Sequence, residues 1–247
     1  MEIEFYEEFP NEKNLKKLKT IKFPTKIFIA AKSLEEFQRH EKMAKSYKKD
    51  LEVAYWPIIK NSYWISPFSN NKDLSELFEE LNTIRNHLLI DLELPLRKRW
   101  KMYFKNFFSF RKNKKLIKHF LEKNKRRITT AEYPFIFISK FMRIMGLNYN
   151  IDYERSIMWY SSMMKRRINS LVKKNLIKLN SKSNYSISLG TIAIGILGNE
   201  PILSPENLEK DLEFIKKTGF KKVVIFRLEG INKDYLKILN KFSKLKG

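Results

Sequence analysis

The sequence predicts a single (β/α)8 TIM barrel spanning residues 1–247, and three observations carry that expectation. Short β-type runs alternate with helical patterns eight times along the chain, the arithmetic of eight strands each followed by a helix. No Gly-rich nucleotide loop follows the first strand, where Glu7-Glu8-Phe9-Pro10 stands instead, so a doubly wound open sheet is disfavoured. The expected strand ends gather acids and aromatics, and the C-terminal end of its strands is where a barrel keeps its chemistry.

The strands are expected at 3–6, 27–30, 52–56, 88–92, 127–131, 156–160, 186–194 and 222–228. Helical patterns fill 12–19, 33–48, 73–85, 97–124, 136–146, 162–175, 205–218 and 232–245. Several helix starts carry cap chemistry. Ser33 precedes Leu34-Glu35-Glu36 with Glu36 at the capping-box position, Asp73 precedes Leu74, and Ser204-Pro205-Glu206 places a proline in the first turn, where its missing N–H costs nothing. Gly146 and Gly219 stand where helices should stop, because a helix often closes through a left-handed residue.

Composition narrows the class. A hydrophobic content of 43% with 14% aromatics excludes general disorder, and seven Gly with eight Pro exclude a collagenous or linker-rich chain. The absence of cysteine excludes a disulfide framework, a Cys-ligated zinc and a thiol nucleophile. Lys and Arg number 50 against 27 Asp and Glu, a net charge of +23. Lys, Asn, Ile and Phe abound while Gln appears once, as AT-rich codons would produce, so part of that charge reads as coding bias. The acidic start Met1-Glu2-Ile3-Glu4 is unlike a signal peptide, and the longest apolar stretch, 192–197, falls far short of the ~20 residues of a membrane-spanning helix. A soluble cytoplasmic protein of undetermined oligomeric state is expected.

Period-two alternation places Asp91 and Glu93 on one face of strand four, with Leu92 on the other. Outward positions pack on helices and should be apolar, so both acids are expected inside. The same logic turns Glu4, Tyr6 and Glu8 inward on strand one, Thr130 and Glu132 inward on strand five, and Arg227 and Glu229 inward on strand eight. Clustered acids raise one another's pKa and leave a protonated acid beside an ionised base, an arrangement suited to glycosidic bond cleavage. Glu93, Asp91 and Glu132 are therefore the candidate catalytic residues, with Glu93 as general acid. Trp56, Trp159 and Tyr160 close strands three and six. The loop 61–69 after strand three adds Trp64 among Ser and Asn, a surface suited to a sugar ring. Glu8, Arg227 and Glu229 complete the expected substrate-binding set. Buried acid–arginine pairing as plain structure is the competing interpretation.

Ile90-Asp91-Leu92-Glu93 resembles the end of the acidic motif Asp-x-x-Asp-x-Asp-x-Glu of family 18 chitinase-like glycoside hydrolases, and Met158-x-Tyr160 resembles their Met-x-Tyr-Asp. The resemblance implies Glu93 as general acid, Asp91 as its partner, and Tyr160 bonding a substrate acetamido group that acts as internal nucleophile. Leu89 and Asn86 replace the two earlier aspartates, Ser161 replaces the strand-six aspartate, and Glu229 stands where that family places a tryptophan. Family 25 lysozymes, which also carry Asp-x-Glu on a central strand, are resembled equally.

Other chemistries find less support. The histidines, His40, His87 and His119, fall in helical patterns or on the non-catalytic rim, away from a metal site. No motif demands a cofactor, although an all-carboxylate Mg²⁺ site from Glu93, Glu132 and Glu229 stays open. Gly195-Ile196-Leu197-Gly198-Asn199 reads as a simple turn or a weak phosphate cradle. Residues 97–127 hold fourteen Lys or Arg against Glu122 alone, with Leu96, Trp100, Phe104 and Phe107 at helical spacing. This stretch is expected to be an extended helix with a solvated cationic back. Its alternatives are a surface for nucleic acid or for anionic lipid, the polyanion partners of a barrel without catalysis. A carbohydrate is the expected partner of the barrel mouth.

Overall fold

The computed structural model describes residues 1–59, 63–94, 108–179 and 182–243. Eight parallel strands close a barrel in chain order. They are β1 Glu2–Glu7, β2 Lys26–Ala31, β3 Glu52–Pro57, β4 Leu88–Asp91, β5 Ile128–Glu132, β6 Glu154–Met158, β7 Tyr185–Gly190 and β8 Lys222–Phe226. The described helices are α1 Glu12–Leu15, α2 Leu34–Tyr47, α3 Asn71–Asn82, α4 Phe110–Asn124, α5 Ser139–Ile144, α6 Arg166–Lys178, α7 Pro205–Thr218 and α8 Lys233–Phe242. The chain is thus the (β/α)8 barrel that its alternation predicts.

Local chemistry accounts for most boundaries. The Ser33 hydroxyl accepts the Glu36 N–H at 3.2 Å, while the Glu36 carboxylate accepts the Lys32 N–H at 2.7 Å. Ser204 caps α7 by accepting the Asn207 N–H at 3.3 Å, and Gly219 closes it at φ 89°. Asp73 is not a cap. Asn70 accepts the N–H groups of Lys72 and Asp73, so α3 begins earlier than expected. Strand seven stops at Gly190, short of the predicted 194. There φ is 141° and an added Cβ would meet the Phe226 carbonyl oxygen at 2.4 Å, so only glycine fits.

Two apolar layers result from the strand alternation. Ile, Leu and Val facing outward pack under the helices, as with Ile27, Ile29, Ile90, Ile187, Val223 and Ile225. The barrel interior interlocks large Tyr6, Phe28, Trp56 and Phe226 with small Ala30, Ala54 and Ala131. Of the expected helix at 97–124, α4 turns Asn113, Ile117, Phe120 and Leu121 onto the barrel, and Phe120 stacks on Phe78 with centroids 4.1 Å apart. Leu96, Trp100, Phe104, Phe107 and the cations Lys98 and Arg99 lie outside the described residues. No helix among the described residues is long and apolar enough to cross a membrane.

Candidate active site

A cavity of about 260 Å³ opens at the C-terminal end of the barrel. Inward positions build its floor: Tyr6, Leu89, Ala131, Met158 and Phe226, with Trp56 on the wall. Beneath it the Tyr6 hydroxyl lies 3.2 Å from Ser188 Oγ, which in turn lies 2.6 Å from Ser156 Oγ. The connections after the strands supply the rest, including Tyr63, Trp64, Tyr133, Tyr160, Met163, Met164 and Leu197.

Four carboxylates line this apolar space: Glu8, Asp91, Glu93 and Glu200. No Lys, Arg or His lines it among the described residues. Asp91 and Glu8 are each 5% exposed, and Asp91 Oδ1 and Glu8 Oε2 have no hydrogen-bond partner among the described residues. Burial raises the Asp91 carboxyl well above its ordinary value, with Glu93 and Glu8 adding to the rise. Loss of water and the neighbouring Glu8 push Glu93 up to about 8. Glu8 rises to about 7 through burial, against the opposing hydrogen bond from Tyr63 and the charge of Arg227. Carboxyls this close exchange protons as one system, so the cluster holds protons at neutral pH.

Tyr63 donates its hydroxyl hydrogen bond to Glu8 Oε1. Its backbone sits at φ 70°, a left-handed conformation that costs a tyrosine about 1 kcal/mol or more. An antiparallel bridge to Ile59 holds it there. On the opposite wall Gly195 abuts both Glu8 and Glu200: a Cβ at 195 would lie 3.0 Å from Glu8 Oε2 and 2.9 Å from Glu200 Oε1. In the Gly195-to-Asn199 turn the Leu197 and Asn199 N–H groups donate to the Glu200 carboxylate at 2.8 and 3.1 Å.

Of the residues singled out from sequence, Asp91, Glu93, Glu8, Tyr160, Trp56 and Trp64 line this one cavity. Others lie elsewhere. Thr130 and Glu132 face outward, because Arg155 on β6 also faces outward and meets Glu132 at 2.8 and 3.0 Å. Thr130 and Tyr153 donate to the same carboxylate at 2.8 and 3.2 Å. Trp159 belongs to the outer layer, where its indole N–H donates to Asn169 at 2.7 Å and its ring packs edge-on against Phe214. Arg227 also faces outward, 3.3 Å from Glu7 and donating to the Ile194 carbonyl at 2.7 Å, with Glu229 as its second carboxylate partner. On β8 both faces are apolar, Val224 and Phe226 inside and Val223 and Ile225 outside, so no alternation marked the inward side. The expected convergence of Glu93, Glu132 and Glu229 at one mouth does not occur, and with it goes the Mg²⁺ set drawn from them.

Sequence reasoning missed Tyr63 and Glu200 as individual site residues. Tyr63 sat inside the loop marked as a sugar surface. Glu200 was signalled only by an acid directly after a turn containing two glycines.

No protein-family model matches the chain, and no curated protein matches it. Solved structures share its fold. The C-terminal domain of a putative chitinase from Desulfitobacterium hafniense aligns over 98% of this chain and 97% of that one, with 9% identity and a TM-score of 0.56. A class V chitinase from Nicotiana tobaccum aligns over 96% and 98%, with 10% identity and a TM-score of 0.54. The 3-keto-D-glucoside 4-epimerase of E. coli aligns over 98% of each chain, with 11% identity and a TM-score of 0.53. At such identities the likeness is one of fold.

Proposed function

We propose that this barrel acts on a glycan or other sugar-containing substrate by carboxylate acid/base chemistry, in the manner of a glycoside hydrolase. One observation carries the proposal: Asp91 and Glu93 at the end of β4 face Glu8 across an aromatic-walled cavity in which two buried carboxylate oxygens have no partner among the described residues. Leaving buried acids unsatisfied costs about 1–3 kcal/mol each, and stability alone gives no return on it. Glu93 is the general acid, since a carboxyl raised to about 8 is protonated at pH 7 and has a proton to give. Asp91 and Glu8 hold that proton in place and stabilise the positive charge that develops on the sugar ring. Trp56 and Trp64 offer apolar faces to the ring, and Tyr160, one period-two step beyond Met158, offers a hydroxyl to a substituent.

The lining also constrains the substrate. No cation among the described residues lines the cavity to pair with a phosphate or carboxylate group, and such an anion would add to the charge the clustered acids already resist by holding protons, so a neutral or amine-bearing sugar fits and a sugar phosphate or uronate does not. The fold neighbours support the reading at the level of chemistry they host, a putative chitinase and a class V chitinase among them. The test is hydrolysis of a panel of neutral oligosaccharides and aryl glycosides by wild type and Glu93→Gln. Turnover by the wild type with an acid-form requirement, lost in the variant while sugar binding persists, supports the reading. Equal activity of the two, or no binding of any neutral sugar by the wild type, overturns it.

A further inference from the structure

The net charge is not spread evenly over the helices. α4, α5 and α6 together carry thirteen Lys or Arg and one acid, Glu122, which pairs with Lys118 at 3.4 Å. The other five helices carry eleven Lys or Arg and thirteen acids. A coding bias toward lysine would act on all helices alike. Among the described helices the cationic excess lies on one flank of the barrel.

The same flank exposes large apolar side chains. Phe141 and Ile144 on α5 are 55% and 64% exposed, and Ile168 and Leu171 on α6 are each 41% exposed. Neighbouring strands β5, β6 and β7 set α5 and α6 side by side on this flank. The Lys173 ammonium lies 5.2 Å from the Trp159 ring and 5.0 Å from the Phe214 ring, so that side of α6 faces α7. Ile168 and Leu171 lie on the opposite side of α6, toward α5. Lys114 of α4 donates to the Ile144 carbonyl at 2.9 Å, tying α4 to the end of α5. Around the apolar strip stand exposed Lys140, Arg143, Arg167 and Lys174.

We propose that the α4–α6 flank docks on an anionic bilayer surface, with Phe141, Ile144, Ile168 and Leu171 entering the headgroup boundary and the surrounding cations meeting lipid phosphates. Charge complementarity selects the anionic partner. Three of the four side chains, Ile144, Ile168 and Leu171, are aliphatic, which selects lipid over nucleic acid, because bases stack on aromatic planes and gain nothing from isoleucine and leucine. This surface is separate from the acid-lined mouth and does not depend on its chemistry.

The test is flotation of the full chain with phosphatidylcholine vesicles, with and without phosphatidylglycerol. The protein should float only with the anionic vesicles and release at high salt. Two variants should each weaken partitioning by at least about tenfold, given that one basic residue near the surface contributes about fivefold. They are Phe141→Ser/Ile144→Ser/Leu171→Ser and Lys140→Ala/Arg143→Ala/Arg167→Ala/Lys174→Ala. A control that loses the same charge elsewhere, Lys42→Ala/Lys210→Ala/Lys217→Ala/Lys237→Ala, should bind as wild type does. If the apolar triple variant does not fold, judged by its circular dichroism, Ile144→Ser alone replaces it. Failure to float, full binding by the apolar variant, or an equal loss in the control overturns the proposal. So does binding of a single-stranded oligonucleotide that competes with vesicles and ignores the apolar substitutions.

Discussion

The two ends of the barrel bury acids to the same depth and treat them differently. β1 and the residue that follows it place Glu4 at the N-terminal end and Glu8 at the mouth, 6% and 5% exposed, and burial lifts each to about 7. At the N-terminal end cations answer the acids. Lys26 lies 3.9 Å from Glu4 and 2.7 Å from Glu52, and Lys222 lies 2.9 Å from Glu154. His87, lowered to about 4 by burial and Lys26, stays neutral and shares a hydrogen bond of 2.8 Å with Thr129. At the mouth no cation lines the cavity among the described residues, and carboxylate oxygens stand unpaired. Under the proposed function, a raised pKa is therefore not what separates a working acid from a structural one. The separating feature is a missing partner beside open space, since a group paired on every side has nothing left to offer a substrate.

The largest effect expected from this contrast is on catalysis. Glu93→Gln keeps shape and removes the transferable proton, so turnover on the proposed sugar substrate should fall by about 10²–10⁴-fold with the melting temperature unchanged or raised. Steady-state kinetics and a thermal melt check both halves.

Glu132→Gln should behave in the opposite way. It weakens the Arg155 pair and leaves the cavity intact, so denaturant unfolding should show a loss of about 1–3 kcal/mol while kcat holds. A fall in kcat without loss of stability would return Glu132 to the reaction.

At the N-terminal end Lys26→Met removes the cation beside Glu4. A loss of about 1–2 kcal/mol is expected, with the Glu4 carboxyl rising above its present value of about 7, observable by carboxyl ¹³C NMR.

A further effect concerns pH. Glu8 has a folded pKa of about 7 against an ordinary 4.5, so its contribution to stability is fully present below 4.5 and is lost as pH rises through 7. Glu8→Gln cannot titrate. Its melting temperature should fall less than that of wild type between pH 5 and pH 8, by about 5–10 °C, and exceed it at the upper end. Removing the Glu8 charge also relieves Glu93, whose pKa should drop and carry the upper limb of the activity profile to lower pH. Parallel melting curves for the two proteins would mean that Glu8 is paired after all.

Where one strand face was plainly apolar, the alternation of residues was enough to place side chains. Ile3 and Phe5 went out and Glu4, Tyr6 and Glu8 in; Leu92 went out and Asp91 and Glu93 in. Gly219, Ser33 and Ser204 marked helix ends because cap chemistry is local. The rule that charge points inward failed on β5 and β8, since it takes no account of what the neighbouring strand presents. Arg155 makes an outward Glu132 affordable, and Glu7 does the same for Arg227.

The order of strands and helices, the closed barrel and the inward acids of β1 and β4 were determined by the sequence itself, because periodicity and capping act between residues a few positions apart. Only the tertiary structure decided which acids share a cavity. Tyr63 reaches Glu8 across 55 positions of chain, Arg227 reaches Glu7 across 220, and Glu200 folds back on its own turn to face both Glu8 and Gly195. Whether a buried carboxylate finds a cation or a void depends on closure of the barrel, which brings together strands whose order along the chain carries no record of their side chains' company.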